Sequence, residues 1–192
     1  MKDILKTIII LSALALISGI LLGGVNSFTQ VDPEEQIKAK LNLVYDNPSE
    51  LVKVGLSGNP SIKPVTDPEI TAQGRVLNAY KSPDGVYVLR ALGKGGYGGD
   101  IELLYAIQND KILKIAVFRH SETPGLGSKG FEENYLKRFY NKNIDSIEKF
   151  TLGKSGGSEI QALTGATFTS NAIINATNVA IVWYNNNKEA GQ

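Results

Sequence analysis

The sequence predicts an α+β fold, an antiparallel sheet with helices packed on it, preceded by a single N-terminal transmembrane helix. Three observations carry this reading. An uncharged stretch over 7–31 has its apolar heart at 8–25, which meets the ~20 residues that a spanning helix needs. From Ile70 onward the chain holds runs of β-branched and aromatic residues separated by turn residues. Helical periodicity then follows the strands instead of alternating with them.

Lys2, Asp3 and Lys6 precede the apolar stretch, so by the positive-inside rule its N-terminal end stays cytoplasmic and the rest of the chain is delivered outside. A cleaved signal peptide is the competing reading. Its apolar region would be shorter and no Ala-x-Ala site follows, although Gly23-Gly24 and Asn26-Ser27 are small enough to serve. Ser12, Ala13, Ala15, Ser18 and Gly19 would let a neighbouring membrane helix pack closely. Asp32-Pro33-Glu34-Glu35 reads as a helix start with Asp32 as N-cap, running to about Tyr45 and burying Ile37, Leu41 and Val44. The stretch 49–68, with Gly58-Asn59-Pro60, Pro64 and Pro68, reads as irregular.

Strands are predicted over 76–80, 86–92, 101–107 and 112–119, a meander whose turns are Ser82-Pro83-Asp84-Gly85 and Gln108-Asn109-Asp110. Phe131, Tyr135 and Phe139 recur every four residues and predict an amphipathic helix over 131–140. A short strand after Lys149 leads through Gly156-Gly157 to the last helix, with Ser170 or Asn171 as its N-cap. Its buried face is set by Ile173, Ile174, Val179, Ala180 and Trp183. This gives an anchor over 1–28, a connector over 29–68, one domain over 69–185 and a polar tail over 186–192.

Composition narrows the function. A net charge of +1 over 192 residues gives no reason to expect nucleic acid as a partner. Without cysteine there can be no disulfide, thiolate metal site or iron–sulfur cluster, and His120 alone makes a histidine metal site a poor expectation. Redox work would need an organic cofactor.

The most informative stretch is 163–170, Leu-Thr-Gly-Ala-Thr-Phe-Thr-Ser, where a loop becomes a helix. Gly165-Ala166 lets backbone approach a bound group, and the helix N-terminus offers N–H donors to an anion. The residues therefore suit a phosphate site beside a hydroxyl group, and equally an ordinary hydroxyl-rich helix cap. Gly93 to Gly99 surround Tyr97 with glycines, which suits either a flexible hairpin or a backbone passing close to a flat ligand.

Three motifs carry a resemblance. Thr164-Gly165-Ala166-Thr167 resembles the (Ser/Thr)-Gly-Ala-Thr flavinylation motif of the FMN-binding domain found in the G subunit of Rnf complexes and the C subunit of sodium-pumping NADH:quinone reductases. Glu122-Thr123-Pro124-Gly125-Leu126-Gly127 and Gly96-Tyr97-Gly98-Gly99 are similar to two further loops of that family. The chain departs from the pattern at Gln161, where the family usually has Asp. The resemblance implies FMN joined by a phosphoester to Thr167, with Thr164 and Thr169 as close competitors. It also implies Glu122 and Thr123 hydrogen-bonding the cofactor, Leu126 lying against its ring, Tyr97 supporting the pocket or an interface, and Lys129 placing positive charge near it.

The implied protein is an Rnf-type G subunit, since its quinone-reductase counterpart tends to be longer. It would be an electron carrier that works with polytopic membrane subunits and iron–sulfur proteins and is matured by a flavin transferase. No residue need act as acid, base or nucleophile in turnover. The alternatives are the quinone-reductase counterpart and an anchored binding module without cofactor.

Overall fold

The computed structural model describes residues 2–29, 33–56, 60–154 and 156–189, which fall into two units, 1–39 and 40–192. In the first, helix α1 (Lys2–Thr29) contains an apolar span, Ile4–Val25, of mean hydropathy 2.6, none of it buried. Isoleucines and leucines cover the whole circumference rather than one stripe, so the helix is apolar enough to cross a membrane. At 1.5 Å per residue the span is roughly 33 Å long, close to the thickness of a bilayer's hydrocarbon core.

Helix α2 (Pro33–Leu41) carries Glu34 and Glu35 in its first turn, and the predicted cap Asp32 lies outside the described residues. The helix is shorter than predicted. Beyond Leu41 the chain tightens into i→i+3 bonds, Leu43 N–H to Lys40 O and Val44 N–H to Leu41 O, and Tyr45 turns away to donate to Asp84 Oδ1 at 3.0 Å. Ile37, Leu41 and Val44 are buried, as their spacing predicts.

The second unit is built on a five-stranded antiparallel sheet in sequential order: β1 (Val52–Val54), β2 (Gly74–Lys81), β3 (Tyr87–Gly96), β4 (Gly99–Gln108) and β5 (Lys111–Arg119). The predicted meander is present, with a fifth strand added. Strand β1 lies in the stretch read as irregular, whose Gly58-Asn59 falls outside the described residues, and helix α3 (Pro68–Gln73) begins at the last residue of that stretch and runs past Ile70, where the sequence reading turns to strands. Helix α3 starts because Asp67 Oδ1 accepts the N–H groups of Glu69 and Ile70 while Pro68 occupies the first turn. Asn109 and Asp110, at φ of 51° and 57°, form the tight β4–β5 turn. The glycine-rich run is no loose loop: β3 continues to Gly96, which pairs with Gly99 across Tyr97-Gly98.

Alternation along the strands gives the sheet two faces. Leu89, Ala91, Leu103, Tyr105 and Ile107 bury against helix α5 (Thr167–Asn187). The helix lies directly on β3, where a Cβ at Gly93 would come within 2.0 Å of Ala172 O and 2.8 Å of Ala176 Cβ. All five predicted face residues of α5 are buried. Its inward polar groups are paired: Thr177 Oγ1 meets Tyr105 Oη at 3.1 Å, and Asn178 bonds both N–H and C=O of Phe150. On the other face Val88, Leu104 and Ala106 are buried, and Glu102 is held between Arg90 and Arg119.

The predicted helix over 131–140 is broken. A 3₁₀ turn (Gly127–Phe131), one turn of α-helix, α4 (Glu133–Leu136), and a second 3₁₀ turn (Lys137–Phe139) replace it. Tertiary bonds tighten the chain there. Arg138 donates to Gln161 O at 2.7 Å, and Tyr140 Oη accepts the N–H of Ile115 at 3.0 Å and donates back to its carbonyl. Tyr135, Leu136 and Phe139 are nonetheless buried. The single strand expected after Lys149 is a parallel pair, β6 (Thr151–Leu152) and β7 (Glu159–Ile160).

Helix α5 starts earlier than predicted. Its N-cap is Ala166, and Ser170 sits within the first turn, donating to Ala166 O and accepting Leu163 N–H, both at 3.0 Å. Of the predicted tail, residues 190–192 lie outside the described ones.

Candidate functional site

Three segments of the second unit converge on a cavity of about 210 Å³. The β3–β4 turn contributes Tyr97, the loop after β5 contributes Glu122, Thr123, Leu126 and Gly127, and the start of α5 contributes Gly165, Ala166, Phe168 and Thr169.

Local bonds set each segment. After β5, Thr123 O accepts the N–H groups of Leu126 and Ser128, while Ser128 Oγ accepts Gly125 N–H at 2.8 Å, so the loop closes on itself. His120 Nδ1 accepts Glu122 N–H at 3.1 Å, and its ring lies 4.2 Å from that of Phe131. At the third segment Ala166 N–H bonds Leu163 O, and Gly165 has a φ of +76°, a conformation that side chains resist. That turn aims the first turn of α5 at the cavity.

Glu122 ties the three segments together. Its side chain is only 5% exposed, yet Oε1 accepts Gly98 N–H at 3.0 Å and Oε2 accepts the Thr169 hydroxyl at 2.5 Å. Gly127 packs so closely that an added Cβ would lie 2.6 Å from both Glu122 Oε2 and Thr169 Oγ1. The floor of the cavity is therefore one buried carboxylate and one buried hydroxyl. Its walls are apolar and face solvent: Tyr97 is 75% exposed, Leu126 52% and Phe168 64%. Large apolar side chains left open around one cavity mark a surface that something covers.

At the rim lies the N-terminus of α5. Ala166 supplies no side-chain acceptor, and Ser170 N–H makes the first helical bond, back to Ala166 O. The N–H groups of the first turn thus point out of the helix, where its dipole favours an anion. Thr167, the first helical residue, is exposed, as is Thr164 before it. Thr169 is 1% exposed with its hydroxyl already engaged, so of the three threonines only two offer a free-facing oxygen.

The structure brings Tyr97, Glu122, Thr123, Leu126, Gly165, Ala166 and Thr169 to one cavity. Thr164 and Thr167 flank it without lining it, Lys129 is exposed away from the lining, and His120 acts only on the loop backbone. Sequence reading gave no role to Phe168 or Gly127. The signal for Phe168 was present: a large aromatic residue off the apolar stripe of its own helix. Among the described residues no group of acidic or histidine side chains could hold a metal ion.

Residues 96–182 match the family model of the FMN-binding domain. The G subunit of the proton-translocating ferredoxin:NAD(+) oxidoreductase complex of Clostridium ljungdahlii is 40% identical over 96 residues, 50% of this chain and 51% of that protein. The match thus spans about half the length of that relative. The G subunit of the ion-translocating oxidoreductase complex of Shewanella piezotolerans is 27% identical over 199 residues, covering 98% of this chain and 92% of its own. Among solved structures, Shewanella oneidensis NqrC aligns at 21% identity over 65% of each chain with a TM-score of 0.46.

Proposed function

We propose that this chain is the G subunit of an Rnf-type, ion-translocating ferredoxin:NAD oxidoreductase complex, a membrane-anchored electron carrier with FMN joined through its phosphate to Thr167. The observation that carries the reading is the cavity beside an uncapped helix end, assembled from the three motif-bearing segments. Its residues fit the group. A volume of about 210 Å³ is below the ~300–1,000 Å³ of sites that enclose a whole ligand, as suits a site that seats one edge of a flat ring and leaves the other open. Leu126 and Phe168 offer apolar surface to the ring, and Glu122 and Thr169 offer polar partners. The first turn of α5 offers N–H donors to a phosphate esterified at Thr167. Burial argues against Thr169 as acceptor, and Thr164 lies outside the helix end.

When bound, FMN would supply reversible electron transfer at its ring. The chain's own residues would hold it, shield one face from water and fix its orientation, with no side chain exchanging a bond during turnover. The flavin domain would occupy 69–185, tethered through 29–68 to an anchor over 1–28. Lys2 and Lys6 before the span favour a cytoplasmic N-terminus and an extracytoplasmic flavin. A cofactor lost there could not be replaced from the cytoplasm, which gives covalent attachment a purpose. Electrons would reach and leave it through polytopic and iron–sulfur subunits, and a flavin transferase would attach it.

Coexpression of the full chain with a flavin transferase tests the reading. The chain gains the mass of FMN less water, and Thr167→Ala abolishes the gain. A gain that survives in Thr167→Ala and disappears in Thr164→Ala would move the acceptor. No gain in any form would leave the chain without covalent flavin.

A further inference from the structure

We infer that Glu122 is a positioning residue that fixes the hydrogen-bond polarity of the cavity floor, so that the floor selects a ring edge that donates a hydrogen bond. The inference rests on the proposed flavin site and deepens it. A hydroxyl has one proton to give and two lone pairs, whereas a carboxylate only accepts. Thr169 Oγ1 donates to Glu122 Oε2. The Thr169 proton is therefore committed to Glu122. What Thr169 turns to the cavity is lone pairs.

The other side of the carboxylate is committed in the same sense. Gly98 N–H can only donate, and it does so to Oε1 at 3.0 Å. Gly96 and Gly127 close in around the two oxygens, where a Cβ would lie 2.5 and 2.6 Å away, so neither position has room for a side chain. Both buried polar side chains of the floor, Glu122 and Thr169, thus present acceptors, in a place where an unmatched acceptor is costly. A ligand edge carrying only carbonyl oxygens or unprotonated ring nitrogens would set acceptor against acceptor. The oxidised isoalloxazine ring has a single N–H donor, at N3 of its imide edge. The floor suits that edge.

The test uses the full chain in detergent, produced without flavin transferase, and two probes: lumiflavin and its N3-methyl derivative, read by quenching of flavin fluorescence. Loss of a hydrogen bond to a charged or buried acceptor should weaken binding of the methylated probe by about ten- to a hundredfold. Thr169→Val removes the hydroxyl, and Glu122→Gln lets Thr169 turn its proton toward the cavity. In Glu122→Gln the preference should fall to about twofold or less, while Thr169→Val, which leaves the Glu122 carboxylate as acceptor, and Thr169→Ser, which keeps the hydroxyl, should retain it. Equal binding of the two probes to the unaltered chain, or no binding of lumiflavin, would overturn the inference. So would a preference lost in Thr169→Ser, because that would trace it to packing. The mass gain at Thr167 is read separately: if it occurs without N3 discrimination, the flavin reading stands and the inference falls, whereas its absence strikes the reading itself.

Discussion

The two ends of α5 are built for different purposes. At the C-terminal end, Asn187 is buried and uses its whole amide: Nδ2 donates to Trp183 O and Lys63 O, and Oδ1 accepts Lys63 N–H at 2.7 Å. Lys188 bonds Asp110 at 2.8 Å and Asp145 at 2.6 Å, which holds its ammonium well above the usual lysine range. While both aspartates carry their charge, the stabilisation that this brings is full below the ordinary lysine value and is lost as pH rises through the raised one. At the N-terminal end no side chain caps the helix, Phe168 faces solvent, and the buried Thr169 hydroxyl lies in the cavity floor. One end is spent on stability and the other is held open, so a single rigid rod fixes the site without being consumed by it.

The largest way to break this comparison is to unseat the rod. Gly93→Val drives a side chain into the backbone of α5 and should cost about 3 kcal/mol or more, read as a lower denaturation midpoint for the full chain in detergent, with the site lost as well. Asn187→Ala strikes only the locked end. It leaves Lys63 without its partners and should cost about 2 kcal/mol, while covalent flavin still appears on coexpression with the transferase. Ala166→Asp sharpens the contrast from the open end. A capping carboxylate should raise stability by about 1 kcal/mol and yet reduce flavin incorporation, because it occupies the N–H groups and repels phosphate. If stability and incorporation rose together, the helix end would not be the phosphate site. Phe168→Ala should change stability by less than about 0.5 kcal/mol, the usual range for a surface position. It should still shift the absorption spectrum of the attached flavin.

Much of this was legible in the sequence, for physical reasons that differ by region. The apolar heart of α1 announces itself by length alone, and the four long strands do so by β-branched runs punctuated with turn residues. Asn109-Asp110 is a case where the residue types dictate the turn, because both tolerate positive φ. The misses lie where tertiary bonds decide. Phe131, Tyr135 and Phe139 have helical spacing, but Tyr140 and Arg138 are pulled to Ile115 and Gln161, and the segment tightens into 3₁₀ turns. Strand β1 is three residues long and exists because Val52 to Val54 find β2, which no local pattern reveals. The cap of α5 was misplaced because Ser170 has the right chemistry for a cap and instead bonds Ala166 O from inside the helix. At the site, motif resemblance named residues far apart in the chain, but the linkage of Glu122 to Thr169 needs the fold. So does the place of Phe168.

The sheet's outer strand has a further consequence, for aggregation. A bare β5 would offer a ladder of unpaired N–H and C=O groups to any other extended chain. Tyr140 occupies both groups of Ile115 with one hydroxyl, Asn141 N–H takes Ile112 O, and Ile144 N–H takes Asp110 O. The opposite border is β1, too short to template a long ladder. Along β5 the bonds of Tyr140, Asn141 and Ile144 interrupt the ladder, so neither border offers a long continuous edge for strand-by-strand growth.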